Sequence, residues 1–290
     1  MTVEEIIKKV RLLEIQSRKL SAQLFSGEYH AAFKGKGMLF KEVREYYPGD
    51  DPRFIDWNVS ARFGHPYSKV FEEERERSVM LMLDISGSTD IGSQERTKRT
   101  LMTEIAATLA FSALSNHDKT GAILFSDQVE KYIPPKKGRQ HLLYIIRTLL
   151  THEQQSRGTN INEALKFVQK ISRQRSILFL ISDFASDMED NIVQMSGARH
   201  DAIGIQLQDP ADMQLPDAGL LLLEDPETGR SYWVDSSQKA TSGFWKNLQQ
   251  RRQTHTRQQL KKSGWGYVSC TTPGDYVKEL QAFFIKRIAR

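Results

Sequence analysis

Two short runs of this chain hold nothing but apolar side chains: Val79-Met80-Leu81-Met82-Leu83 and Ile177-Leu178-Phe179-Leu180-Ile181. Each is strand-length, and neither alternates with polar residues. Such runs are buried on both faces, which is how strands sit in the middle of a parallel sheet. Both stop abruptly in polar residues. The first ends in Asp84-Ile85-Ser86-Gly87-Ser88 and the second in Ser182-Asp183.

Helical and strand patterns alternate around these runs. Residues 95–115 are expected to be a helix, with Leu101, Ile105 and Leu109 toward the sheet. Residues 122–125 and 129–133 read as a hairpin-like pair around Ser126-Asp127. Further helices are expected over 139–150, 160–171, 189–198, 237–262 and 275–289, and strands over 176–181, 202–207 and 267–269. Leu220–Leu223 and Tyr232–Val234 flank a turn at Asp225-Pro226-Glu227-Thr228-Gly229. This order predicts an α/β fold, a doubly wound and mostly parallel sheet covered on both faces.

The first part of the chain differs. Residues 3–24 carry Ile6, Val10, Leu13, Leu20 and Leu24 at helical spacing. Residues 26–78 are punctuated by Gly27, Gly35, Gly37, Pro48, Gly49, Pro52, Gly64 and Pro66, so loops and short strands are expected there. The expected division is a helix and loop-rich extension over 1–77 and an α/β domain over 78–290.

Composition narrows the function. A net charge of +5 over 290 residues is mildly basic and does not indicate nucleic acid. One cysteine, Cys270, excludes an internal disulfide and a cysteine-rich zinc site, and reads as a small core residue. No stretch approaches the ~20 apolar residues of a membrane helix, and the N-terminus has no secretory h-region, so a cytoplasmic location is expected. There is no Walker A loop and no Gly-x-Ser-x-Gly elbow, and the seven histidines are scattered without metal or triad spacing. A phosphatase of the haloacid dehalogenase kind would need an acid where Ser86 stands.

Three loops remain as chemistry. Asp84-x-Ser86-x-Ser88 follows the first strand, Gly158-Thr159-Asn160 precedes the helix at 160–171, and Asp183 follows the second apolar run. Each alone is ordinary: Asp84 with its serines, and Thr159, are also helix N-cap chemistry, and Asp183 is also a turn former. Together they gather oxygen donors at the carboxyl edge of a sheet, where open α/β folds bind ligands and where a hard cation such as Mg²⁺ is satisfied.

This set resembles the metal-ion-dependent adhesion site of von Willebrand factor type A domains, over roughly residues 78–275. The resemblance implies that fold, which is Rossmann-like. It implies that Ser86, Ser88 and Thr159 ligate the ion (Mg²⁺, or Mn²⁺ or Ca²⁺) directly. Asp84 and Asp183 would act through water or as acceptors behind the ligands. A partner protein's Asp or Glu carboxylate would fill the open position, and nothing would be hydrolysed. Arg157 departs from the pattern, standing where glycine is common; pointed inward, it would weaken a cation site.

Residues 44–62 hold Arg44, Asp50, Asp51, Arg53, Asp56, Trp57 and Arg62 within a Tyr-Pro-Gly-Asp-Asp-Pro-Arg-Phe-Ile-Asp-Trp stretch. Pro48-Gly49-Asp50-Asp51 reads as a turn with glycine at positive φ. Alternating arginines and aspartates suit a structural salt-bridge network, with guanidinium forks free to stack on Trp57. A recognition surface, or a second metal site from Asp50, Asp51 and Asp56, are the other readings. The stretch resembles the signature of a bacterial family called domain of unknown function 58, over most of residues 35–185. Relatives are often encoded near MoxR-type AAA+ ATPases. The resemblance therefore implies an adaptor or accessory role toward such an ATPase, without catalysis. A Mg²⁺-dependent phosphohydrolase and a scaffold with a vestigial site are the competing readings. Residues 246–262 are basic without an acid, which reads mainly as a solvated helix face.

Overall fold

The computed structural model describes residues 39–72, 78–90, 92, 96–172, 174–224 and 229–288, together with Lys8, Leu12 and Glu14. The helix expected over 3–24 and the turn at 225–228 lie outside the described residues. The chain divides into two units, Phe33–Arg77 and a larger body of Met1–Ala32 with Ser78–Arg290.

In the smaller unit, β1 (Leu39–Glu45) pairs antiparallel with β2 (Tyr67–Glu72), with Glu45 opposite Tyr67. Between them lie a 3₁₀ turn (Pro52–Phe54) and the helix α1 (Trp57–Phe63). Asp51 caps the turn and Asp56 caps α1, each accepting backbone N–H groups the helix start leaves over. Gly49 takes φ +112°, as the Pro-Gly-Asp-Asp turn requires. Ser68 is the one buried side chain among those described here.

The body is built on a six-stranded sheet. Its strands are β3 (Ser78–Asp84), β4 (Lys119–Phe125), β5 (Val129–Lys136), β6 (Ile177–Ser182), β7 (Asp201–Gln208) and β10 (Gly266–Thr271), in the order β10-β7-β6-β3-β4-β5. All neighbours are parallel except β4 and β5, which form the expected hairpin. The helices are α2 (Lys98–Ser115), α3 (Arg139–Thr151), α4 (Ile161–Ile171), α5 (Asp190–Arg199), the short α6 (Pro210–Met213), α7 (Lys239–Lys262) and α8 (Tyr276–Ile288). The hairpin β8 (Leu220–Glu224) with β9 (Ser231–Asp235) stands apart from the main sheet.

Alternation along the strands makes two cores. Met80 and Met82 of β3, Ile123 and Phe125 of β4, and Leu178 and Leu180 of β6 pack with Leu165 and Val168 of α4, Val193 of α5 and Leu260 of α7. The intervening residues, such as Leu81, Leu83, Phe179 and Ile181, are equally buried on the opposite face. Both faces are covered, which is why the two apolar runs carry no polar residue until they reach the edge. No helix among the described residues is long and apolar enough to cross a membrane. Cys270 is buried in β10, and burial pushes its thiol up to about 12, so it is inert at neutral pH.

Candidate metal centre

From β3 the chain passes to β4 on one side of the sheet. It later returns through β6 on the other side of β3 and continues outward through β7 and β10. The carboxyl ends of β3 and β6 thus flank the point where the winding reverses, the usual place for a ligand crevice. Leu83 is paired with Ile181, so Asp84 and Ser182-Asp183 emerge side by side.

Asp84 is fully buried. Its Oδ1 accepts from the Ser86 backbone N–H at 3.0 Å and its Oδ2 from the Ser182 hydroxyl at 2.5 Å. The Ser86 and Ser88 hydroxyls lie 3.2 Å apart, also buried. Thr89 Oγ1 donates to the Ser86 carbonyl at 2.8 Å and locks this loop. Beyond β6, Phe184 takes φ +57°, a left-handed conformation rare outside glycine, and its N–H donates to Ser182 Oγ at 2.9 Å. That bend directs the strand end so that Ser182 reaches Asp84.

The loop bearing Thr159 is drawn to the same edge. The Gly87 N–H donates to the Arg157 carbonyl at 3.0 Å, and the Asn160 N–H donates to the Ser126 carbonyl at 2.8 Å. Asn160, not Thr159, is the side chain that caps α4. A clamp upstream fixes this loop. The Glu130 carboxylate accepts from Ser126 Oγ at 2.6 Å and Gln155 N–H at 3.0 Å, and contacts His152 Nε2 at 2.8 Å. Burial opposes its charge, but these hydrogen bonds outweigh that and hold its pKa below the ordinary carboxylate value. Arg157 does not crowd the site. Its side chain is 65 % exposed and its guanidinium lies 3.8 Å from Glu224 of β8.

The cation that does reach the edge is Lys98, the first residue of α2. Its Nζ lies 3.0 Å from Asp183 Oδ2 and 3.0 Å from Asp212 Oδ2, with the lysine side chain 4 % exposed. The other Asp183 oxygen accepts from the Ala185 N–H at 3.2 Å. Burial disfavours the ammonium, yet the charges of Asp183 and Asp212 outweigh that and raise its pKa. Asp84 is pushed up to about 7, first by burial and then by the nearby negative charge of Asp183, despite the hydrogen bonds from Ser182 and Ser86.

These residues fit a hard cation in donor chemistry: hydroxyls beside carboxylates. Among the described residues no three His, Cys, Asp or Glu side chains gather as a metal group, so a cation here would depend on the serine hydroxyls. Lys98 already compensates Asp183; Asp84, Ser86 and Ser88 are buried, whereas Thr159 and Asp183 are partly exposed. Sequence reasoning missed Lys98, Asp212, Ser182 and Glu130. One signal was available: a lysine at the first position of a helix opposes the helix dipole and calls for an acidic neighbour.

The residues of the second signature are brought together, but locally. Arg44 pairs with Asp50 at 2.8 Å, and Asp50 also accepts from the Tyr47 N–H at 3.0 Å. Arg53 pairs with Asp51 at 2.6 Å. Asp56 caps α1 and faces Lys69 at 3.5 Å. The backbone N–H of Tyr47 and then Arg44 lower the Asp50 pKa; Arg53 lowers that of Asp51; the Val59 N–H foremost lowers that of Asp56. The carboxylates are thus compensated by neighbours rather than converging on one point. Trp57 is 72 % exposed, and the arginine that stacks does so on Tyr47, 5.2 Å from Arg44. Arg62 makes no ion pair among the described residues.

Fold and edge together define an α/β protein with a polar cluster at the switch point of a mostly parallel sheet. The chain belongs to the family described as protein of unknown function DUF58, whose pattern matches residues 42–255. It is 31 % identical over 231 residues to the uncharacterized protein Rv1480 of Mycobacterium tuberculosis (strain ATCC 25618 / H37Rv), covering 78 % of this chain and 73 % of that one. It is 33 % identical over 108 residues to the uncharacterized protein YeaD of Bacillus subtilis (strain 168), covering 37 % of this chain and 25 % of YeaD. Among solved structures, the conserved hypothetical protein BatB from Bacteroides thetaiotaomicron shares the fold. The TM-score is 0.50 at 15 % identity, over 74 % of this chain and all of BatB.

Proposed function

We propose that the edge of β3 and β6 is a divalent-cation site of the von Willebrand factor type A kind. On this reading the protein is a non-catalytic interaction module of the cytoplasm, accessory to a MoxR-type AAA+ ATPase. The observation that carries the reading is the convergence of Asp84, Ser86, Ser88 and Asp183 at one switch point, with the Thr159 loop tied to it through Gly87 and Arg157. Ser86, Ser88 and Thr159 would hold Mg²⁺, with Asp84 and Asp183 behind them. A bound ion supplies an electrophilic centre for a partner's carboxylate.

The surroundings suit a protein partner better than a small substrate. The β8–β9 hairpin, which Arg157 reaches at Glu224, exposes Leu220, Leu222 and Trp233, and Leu222 pairs with Trp233 across the ribbon. An exposed apolar patch of this kind is typical of an interaction surface. Affinity purification of the full chain in Mg²⁺ and then in chelator tests the proposal. An AAA+ ATPase retained only with Mg²⁺, and lost with Ser86→Ala, is the expected result; retention unaffected by chelator and by the substitution would sink it.

The burial of Asp84 and Ser86, and the Lys98–Asp183 pair, favour a second reading in which the site is structural and binds no ion. A Mg²⁺ titration with no heat and no change in melting temperature would select it.

A further inference from the structure

Lys98 is shared between two carboxylates on different elements. Asp183 follows β6, and Asp212 lies on α6, beyond β7. The two seats differ. The Asp183 side chain is 8 % exposed and belongs to the buried edge, whereas Asp212 is 29 % exposed. Asp212 is also held independently of the lysine. Its Oδ2 accepts from the Asp209 N–H at 2.9 Å in a capping box, and its carbonyl accepts from Trp245 Nε1 at 2.9 Å. Were the ammonium to leave Asp183, Asp212 would still be in place to receive it.

We propose that Lys98 is the resident counter-cation of this edge and that Asp212 is its alternative seat. Divalent-cation binding then requires Lys98 to release Asp183 and remain on Asp212. The inference rests on the reading of the edge as a cation site. Its physical basis is simple. An ammonium on Asp183 and a dication on the hydroxyls in front of that carboxylate repel strongly in a water-poor crevice, and with Asp212 in place the ammonium can withdraw without being left unpaired. Lys98 and Asp212 are positioning residues. They set how tightly the edge holds a cation and keep Asp183 compensated when it holds none.

The two residues should act with opposite sign. Mn²⁺ titration of the full chain, by calorimetry and by the Mn²⁺ spin-resonance signal, compares the wild type with K98M, D212N and the double variant. Removing the competitor in K98M should tighten Mn²⁺ roughly tenfold, the ordinary size of a coupling between sites. Removing the alternative seat in D212N should weaken it several-fold, because Lys98 is then confined to Asp183. The double variant should match K98M. Should K98M fold poorly, D212N carries the test alone: Mn²⁺ should raise its melting temperature less than it raises that of the wild type. Wild-type binding that K98M does not improve, or a D212N response equal to the wild type's, overturns the role of Lys98 and leaves the cation reading standing. Absence of Mn²⁺ binding in every variant, K98M included, overturns both.

Discussion

Asp51 pairs with an arginine two residues away, whereas Asp183 pairs with a lysine 85 residues away. Both regions alternate acids and bases, yet they are different physical objects. In the smaller unit the Arg53–Asp51 pair sits at the surface, both members supplied by the same turn. Exposed pairs of that kind contribute little to stability. In the body the charges are enclosed, and their partners arrive only because β3, β6 and β7 are neighbours. A buried pair that loses one member leaves a bare charge behind, and that is costly. The comparison teaches that a run of charges in sequence says little about which charges matter; enclosure and distance along the chain decide.

The largest effect should come from breaking the enclosed pair. Without added metal, Lys98→Met should cost about 3–5 kcal/mol in a denaturant titration. A loss no greater than that of Arg53→Met would abolish the distinction between the regions. Next, Glu130→Ala should cost about 1–3 kcal/mol, because the buried Ser126 hydroxyl loses its acceptor and the Gln155 N–H its anchor. It should also make residues 152–156 more susceptible to protease than they are in the wild type.

A pH series sharpens the contrast further. His200 is buried in the body, where its Nδ1 accepts from the Ser176 N–H, and burial and then Arg199 depress its pKa to about 4 from 6.5. The folded state therefore favours the neutral ring. That contribution is fully present above pH 6.5 and is lost as pH falls from 6.5 toward 4, by about 2–3 kcal/mol. His200→Asn should flatten the acid limb of a stability–pH curve over that window; an unchanged limb would assign the loss to other groups. The smallest effect belongs to the exposed pairs: Arg53→Met should leave the unfolding midpoint within error, and 0.5 M salt should not alter that result.

The contrast also explains what was legible beforehand. Asp50, Asp51 and Asp56 find their partners within a few residues, so turn and capping chemistry foretold a network, though not that Arg44 would stack on Tyr47 while Trp57 stays bare. The strands β3 and β6 were plain because continuous burial leaves an unbroken apolar run. From those runs the convergence of Asp84 and Asp183 could be read. The place of Lys98 at a helix start called for an acid but not for Asp212, because that partner lies on α6, a four-residue helix with no periodicity to announce it. Thr159 was expected at the edge, but the clamp that secures its loop is a single glutamate in a half-buried strand, which no motif marks.

That clamp has a further consequence. Glu130 draws its donors from residues 152–156, downstream of α3 and upstream of Thr159. The connection is moored just before the part that faces the crevice. Changes in the length or pitch of α3 would be absorbed on the far side of the mooring, so this segment could diverge among relatives while the threonine keeps its station.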